Sequence, residues 1–105
     1  MELRGKKLGL LVCSGPGEAA FTHAVGLAQA AIAAGAKVYL YCIDEAVRGI
    51  DHPGLQNLKE RGLNLFGCAY AADRRQIGLS EAAVFSGLGT VSDLMAGTDR
   101  FVVFP

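Results

Sequence analysis

Three cysteines carry most of the chemistry that this 105-residue sequence could perform: Cys13, Cys42 and Cys68. Cys68 follows the apolar run Leu63-Asn64-Leu65-Phe66-Gly67 and opens the segment Cys68-Ala69-Tyr70-Ala71-Ala72-Asp73-Arg74-Arg75. If the run is a strand and the segment a helix, the thiol stands at a helix N-terminus, where backbone N–H groups and the helix dipole favour thiolate over thiol. Free cysteine is also among the most buried residue types and often acts as a small hydrophobe, so position alone does not decide the matter. The flanks favour reactivity. Ala71 and Ala72 leave room above the sulfur, and Arg74 and Arg75 place positive charge on the same helix. Arg75 stands roughly 10 Å along by helix rise, so its side chain reaches the sulfur only if folded back toward the helix start. Cys13 and Cys42 sit among apolar neighbours and read as inert core residues. Zinc sites usually draw on closely spaced Cys and His pairs, and no such partner lies two to five residues from any cysteine, so no metal and no cofactor is expected.

Two glycine-rich turns could approach an anion. Ser14-Gly15-Pro16-Gly17 precedes a helix but is neither a Gly-x-Gly-x-x-Gly fingerprint nor a lysine-bearing phosphate loop, and Glu18 opposes an anion while favouring the helix dipole. A flavodoxin-like nucleotide binder therefore lacks its phosphate loop. Ser86-Gly87-Leu88-Gly89 has glycines that let backbone N–H groups approach an anionic sulfur species or simply permit the turn. His23 and His52 have no carboxylate and cysteine at triad spacing, which argues against a Cys-His hydrolase.

The elements that must position these residues alternate. Lys7 to Cys13 is a short apolar strand, and Glu18 to Ala34 is a helix with Phe21, Val25, Ala28 and Ile32 on its inner stripe and Gly35 as its stop. Ala36 to Ile43 is the second strand, Asp44 to Gly54 a polar connection, Leu55 to Arg61 a short helix and Leu63 to Gly67 the third strand. Cys68 to Gln76, Ala82 to Phe85, Leu88 to Ala96 and Phe101 to Phe104 read as helix, strand, helix and strand. This alternation predicts an α/β fold, a three-layer α/β/α sandwich on a five-stranded parallel sheet. The cysteines then share the carboxyl edge of the sheet, where ligands and reactive groups gather.

The segment Cys-x-x-Ala-Ala-x-Arg-Arg, followed by a strand and Ser86-Gly87-Leu88-Gly89, resembles the DsrE family, most closely the cysteine-bearing TusD/DsrE-type subunits of the sulfur relay. The strand Lys7 to Cys13 with its Ser14-Gly15-Pro16-Gly17 turn and the closing Asp99 to Phe104 extend the likeness over nearly the whole chain. The resemblance implies a small protein that accepts sulfane sulfur as a persulfide on Cys68 and passes it on. Ser14, Gly15, Arg74, Arg75, Ser86, Gly87 and Gly89 would then support the sulfur site, and the partners would be a protein sulfur donor and a protein acceptor. The alternative is a non-catalytic homo-oligomeric module in which Cys68 is buried and the Asp44 to Gly54 loop binds a small ligand or protein partner.

Composition bounds the rest. One domain, residues 1–105, builds one core. The formal net charge is zero and the ten basic residues are scattered, which excludes a protein that neutralises many phosphates, as nucleic-acid binders do. The sequence has no apolar stretch of bilayer-spanning length and no signal-peptide core, and its cysteines form no disulfide framework, so a cytoplasmic protein is expected. Hydrophobic residues make up 51% of the chain, more than so small a core hides. A homotrimer or hexamer is expected, or a hetero-oligomer, with Ala20, Ala24, Leu27 and Ala31 of the first helix as a contact face.

Overall fold

The computed structural model describes residues 2–105. Its strands are β1 (Lys7–Val12), β2 (Lys37–Cys42), β3 (Asn64–Cys68), β4 (Val84–Ser86) and β5 (Arg100–Phe104). They form one parallel sheet in the order β4-β3-β2-β1-β5. The α-helices are α1 (Ala19–Ala33), α2 (Pro53–Glu60), α3 (Ala69–Arg74) and α4 (Gly89–Gly97), and a 3₁₀ segment spans Asp44–Gly49. The expected α/β/α architecture is the one observed.

The strand order explains where the helices lie. From β1 to β4 each step moves one place in the same direction, and right-handed crossovers put α1, α2 and α3 on one face. The step from β4 to β5 returns across the sheet, so α4 lies on the other face. The register agrees. Paired residues of parallel strands point the same way, so Leu10, Leu40 and Leu65 share the first face, and Leu11, Val103, Tyr41, Phe66 and Val84 form a row across the second. The first face is well buried. On the second, Thr98 and Phe101 crowd over Gly9, leaving no room for a side chain there, while Val84 is 61% and Val103 50% exposed.

Several boundaries differ from expectation for identifiable reasons. The segment after β2 is not a solvated loop, because Ala46, Val47, Gly49 and Ile50 are buried in the core. Helix α2 starts at Pro53 rather than Leu55. Proline lacks the N–H that a first helical position leaves unbonded, and His52 caps the start by accepting the Gly54 N–H on Nδ1 at 3.0 Å. Strand β4 begins at Val84 because Gln56 Nε2 donates to the Ala82 carbonyl at 3.0 Å, holding it in the preceding turn. In α1, Ala24 and Ala31 are buried beside Phe21 and Ala28, so they face the sheet and do not form the outer contact surface expected of them.

Gly49 closes the 3₁₀ segment where a Cβ would stand 2.5 Å from the Phe21 ring and 2.8 Å from Pro16 Cγ. Gly49→Ala should therefore destabilise the fold by about 1–3 kcal/mol through overpacking. Gly26, in α1 with open space around it, should show the opposite sign, Gly26→Ala stabilising by up to about 1 kcal/mol. Urea unfolding of the two variants against the parent checks both.

Candidate functional site

Cys68 is the last residue of β3 and the N-cap of α3. Ala71 donates its backbone N–H to Cys68 Sγ at 3.4 Å, so the sulfur caps the helix as serine or aspartate oxygen does elsewhere. The thiol is 3% exposed, which closes the space that Ala71 and Ala72 were expected to leave open. Both alanines are themselves buried.

Arg75 folds back along α3 as its approach to the sulfur requires. Its Nη1 donates to the Ala71 carbonyl at 3.4 Å, Nε to Glu45 Oε2 at 2.5 Å, and Nη2 to Asp44 Oδ1. With its side chain 20% exposed, the guanidinium bridges α3 to the start of the 3₁₀ segment. Glu45 also accepts from Arg48 Nε at 2.8 Å. The hydrogen bonds from Arg75 and then Arg48 hold the Glu45 carboxyl below its ordinary range. In return, the bond to Glu45 raises Arg75 above its ordinary value. Asp44 takes up this geometry with φ of 54°, a left-handed conformation that aspartate tolerates better than most residues.

On the other side lies Tyr41, fully buried on β2 and stacked against Phe66 with ring centroids 6.3 Å apart. Its hydroxyl donates to the Ser86 carbonyl at 2.9 Å and to the Gly87 carbonyl at 3.1 Å. Burial pushes the phenol up to about 12, with the Ser86 side chain opposing and the Cys68 thiol adding to the rise. Ser86 pairs with Cys68 across β3 and β4, and its buried Oγ has no hydrogen-bond partner among the described residues.

The expected site residues thus divide. Cys68, Arg75, Ser86 and Gly87 converge. Ser14 and Gly15 stand on the far side of the Asp44-Glu45 corner: Ser14 Oγ donates to the Pro105 carbonyl at 2.6 Å, and a side chain on Gly15 would meet the Glu45 carbonyl at 3.1 Å. Arg74 turns outward, its Nη1 donating to the Tyr70 hydroxyl at 2.9 Å, with its guanidinium over that ring. Gly89 starts α4 in open space.

The three cysteines reach the same sheet edge but not one cluster. Cys42 is in register with Val12 and Gly67, on the opposite face from Tyr41, and burial pushes its thiol up to about 12. Cys13 is half-buried beside the Ser14-Gly15 turn, its thiol raised by burial and then by the Asp44 charge. Among the described residues no three His, Cys, Asp or Glu side chains gather as a metal-ligand set. Tyr41 was missed by reading the sequence, and Asp44 and Glu45 were read only as part of the Asp44 to Gly54 connection. Two signals pointed to them: a tyrosine in an apolar strand needs a partner for its hydroxyl, and an acidic pair directly after β2 lies at the ligand-binding edge.

The sequence profile of the DsrE/DsrF-like family matches residues 6–104. The chain belongs to the DsrE/DsrF-like family. Members of this family are associated with sulfur relay. Its fold is shared by the crystal structure of the YchN protein from E. coli, with a TM-score of 0.69 and 15% identity over 99% of this chain and 100% of that one. No curated protein matches the chain. In this DsrE/DsrF-like chain no described helix is long and apolar enough to cross a membrane.

The raised thiol and phenol make the domain sensitive to alkali. A group that must stay neutral when folded contributes stability that is full below its unfolded value and lost as pH climbs through its folded value. Cys42 gives this loss a window from 9.0 to about 12, and Tyr41 one from 10.0 to about 12. Stability followed by urea unfolding should fall from about pH 9 upward, and Cys42→Ala should make that fall shallower, with Cys13 and Tyr41 still contributing to it, despite lowering the plateau.

Proposed function

We propose that this protein is a cytoplasmic sulfur carrier that accepts sulfane sulfur as a persulfide on Cys68 and hands it to a partner protein. One observation carries the reading. Cys68 has a backbone N–H directed at its sulfur and a guanidinium folded back toward it, at the carboxyl edge of the sheet. Both features favour a sulfur that carries negative charge, and membership of the DsrE/DsrF-like family supports the same reading.

The chemistry needs no cofactor. The Cys68 thiolate attacks the terminal sulfur of a donor persulfide, a new S–S bond forms at Cys68, and the donor leaves as its thiolate. The acceptor's thiolate then attacks the terminal sulfur now on Cys68, which leaves in turn as the thiolate. Each step exchanges one S–S bond for another, so no outside oxidant or reductant enters. Incubation with a cysteine desulfurase and cysteine should add the mass of one sulfur to the parent and none to Cys68→Ser. An equal adduct on both proteins would remove Cys68 from the role.

The burial of Cys68 favours a second reading, a non-catalytic module that binds a ligand or protein partner. Alkylation by iodoacetamide at pH 7 separates the two. A carrier's Cys68 should react faster than Cys42, and Arg75→Ala should slow it severalfold; equal rates at Cys68 and Cys42 would leave the module reading standing.

We further propose that the carrier is a homo-oligomer, a trimer or hexamer. The half-covered sheet face supports this, because its row from Val103 to Val84 is apolar and α4 packs mainly on β1 and β5, away from the other strands. Light scattering at micromolar concentration should give a multiple of 11.0 kDa, and Val84→Asp should shift the particle toward 11.0 kDa. A parent particle of 11.0 kDa would rule the oligomer out.

A further inference from the structure

Buried hydroxyls find hydrogen-bond partners, and one that does not is a sign of a role outside the resting fold. Ser86 Oγ is such a group among the described residues. Its position is specific. Ser86 is the last residue of β4 and is paired with Cys68, the last residue of β3, so the two side chains leave the same face of the sheet from adjacent strands. Neighbouring strands lie about 4.8 Å apart. A second sulfur on Cys68 would sit about 2 Å beyond Sγ, which brings it within hydrogen-bond reach of a hydroxyl on the adjacent strand.

The donor that such a sulfur needs is also identifiable. A terminal persulfide anion is an acceptor with no hydrogen to give. The hydrogen of Tyr41 is committed to the Ser86 and Gly87 carbonyls, whereas that of Ser86 finds no acceptor at hydrogen-bond geometry among the described residues, its side chain only lying near enough to the Tyr41 phenol to oppose the rise caused by burial. Tyr41 fixes the backbone from which the Ser86 hydroxyl projects, and, kept neutral by burial, it places no negative charge beside the sulfur at ordinary pH.

We infer that Ser86 holds the outer sulfur of a Cys68 persulfide through its hydroxyl, with Tyr41 as the positioning residue that sets the Ser86-Gly87 backbone. The inference rests on the persulfide reading of Cys68 and adds to it a retention site for the transferred atom. The S–S bond stays intact and no proton changes owner; the hydroxyl lowers the charge density on the terminal sulfur until an acceptor arrives.

The experiment loads the parent, Cys68→Ser and Ser86→Ala with inorganic polysulfide, removes the excess, adds a fixed concentration of a small thiol whose thiolate takes the outer sulfur as Cys68 leaves as thiolate, and follows the one-sulfur adduct by intact mass at neutral pH. Ser86→Ala should lose the adduct about tenfold faster than the parent, the factor that one hydrogen bond to a charged group commonly carries. Its unloaded Cys68 should alkylate within about twofold of the parent, and its urea midpoint should fall little, because the hydroxyl loses only a weak contact with the Tyr41 phenol. Decay at the parent's rate in Ser86→Ala would overturn the inference while leaving Cys68 as the carrier. So would an acceleration of alkylation matching that of decay, since Ser86 would then merely be packing over the thiol. An adduct that forms equally on Cys68→Ser would refute the carrier role itself, and the retention site with it.

Discussion

The hydroxyl of Tyr41 joins two parts of the sheet that the backbone ladder alone holds weakly. Strand β4 is three residues long and sits at an edge, so its few ladder bonds to β3 are the main backbone constraint on the turn that follows. From the middle of the sheet, Tyr41 reaches across β3, on the face that Cys68 shares, to bond the carbonyls of Ser86 and Gly87. A buried phenol has to satisfy its hydroxyl, and by doing so here it pins the end of the edge strand next to the thiol. The stacking of Tyr41 on Phe66 sets the ring's direction, and Phe66 lies two residues before Cys68 on the same face. Cys68, Ser86 and Tyr41 are therefore one geometric unit.

A second unit stands on the opposite side of Cys68. Arg75 reaches across to Asp44 and Glu45, and Arg48 completes a short chain of alternating charge. The acids are exposed, so each pair by itself contributes little to folding. Their value lies in direction. With both carboxylates and the Ala71 carbonyl as acceptors, the guanidinium stays folded toward the acidic corner, whereas Arg74 lies over the exposed Tyr70 ring. Two adjacent arginines thus play different parts because one side of the helix faces the acidic corner and the other faces water.

The sequence made the alternation of strand and helix legible because short apolar runs ended by glycine and proline turns are local signals. The position of Cys68 between β3 and α3 was legible for the same reason. What escaped was non-local. Whether Asp44 and Glu45 form a polar loop or the corner of a packed 3₁₀ segment depends on Phe21 and Pro16 closing around Gly49, contacts that no window of sequence contains. The inward face of α1 was read as Phe21, Val25, Ala28 and Ile32, and of these Val25 and Ile32 are only partly buried at its border. The sheet instead receives Ala24 and Ala31 beside Phe21 and Ala28, because small residues let the helix approach closely. Cys13 and Cys42 looked alike in sequence and differ in structure, one half-buried at a cleft and the other sealed on the far face.

The return of β5 to the side of β1 also bears on how the chain acquires its structure. Strands β1 to β4 each dock beside the strand made just before, through connections that are local along the chain. Strand β5 must travel back across the sheet to a neighbour some ninety residues earlier, with the Lys7 N–H bonding Asp99 Oδ2 across a separation of 92 residues. Closing so long a loop is entropically slow, whereas the pairings of β2, β3 and β4, whose ends carry Tyr41, Cys68 and Ser86, close much shorter ones. During synthesis, which proceeds from the N-terminus, the sulfur-bearing corner can be assembled while β1 still presents an open edge. The order of the strands thus separates the making of the reactive corner from the sealing of the sheet.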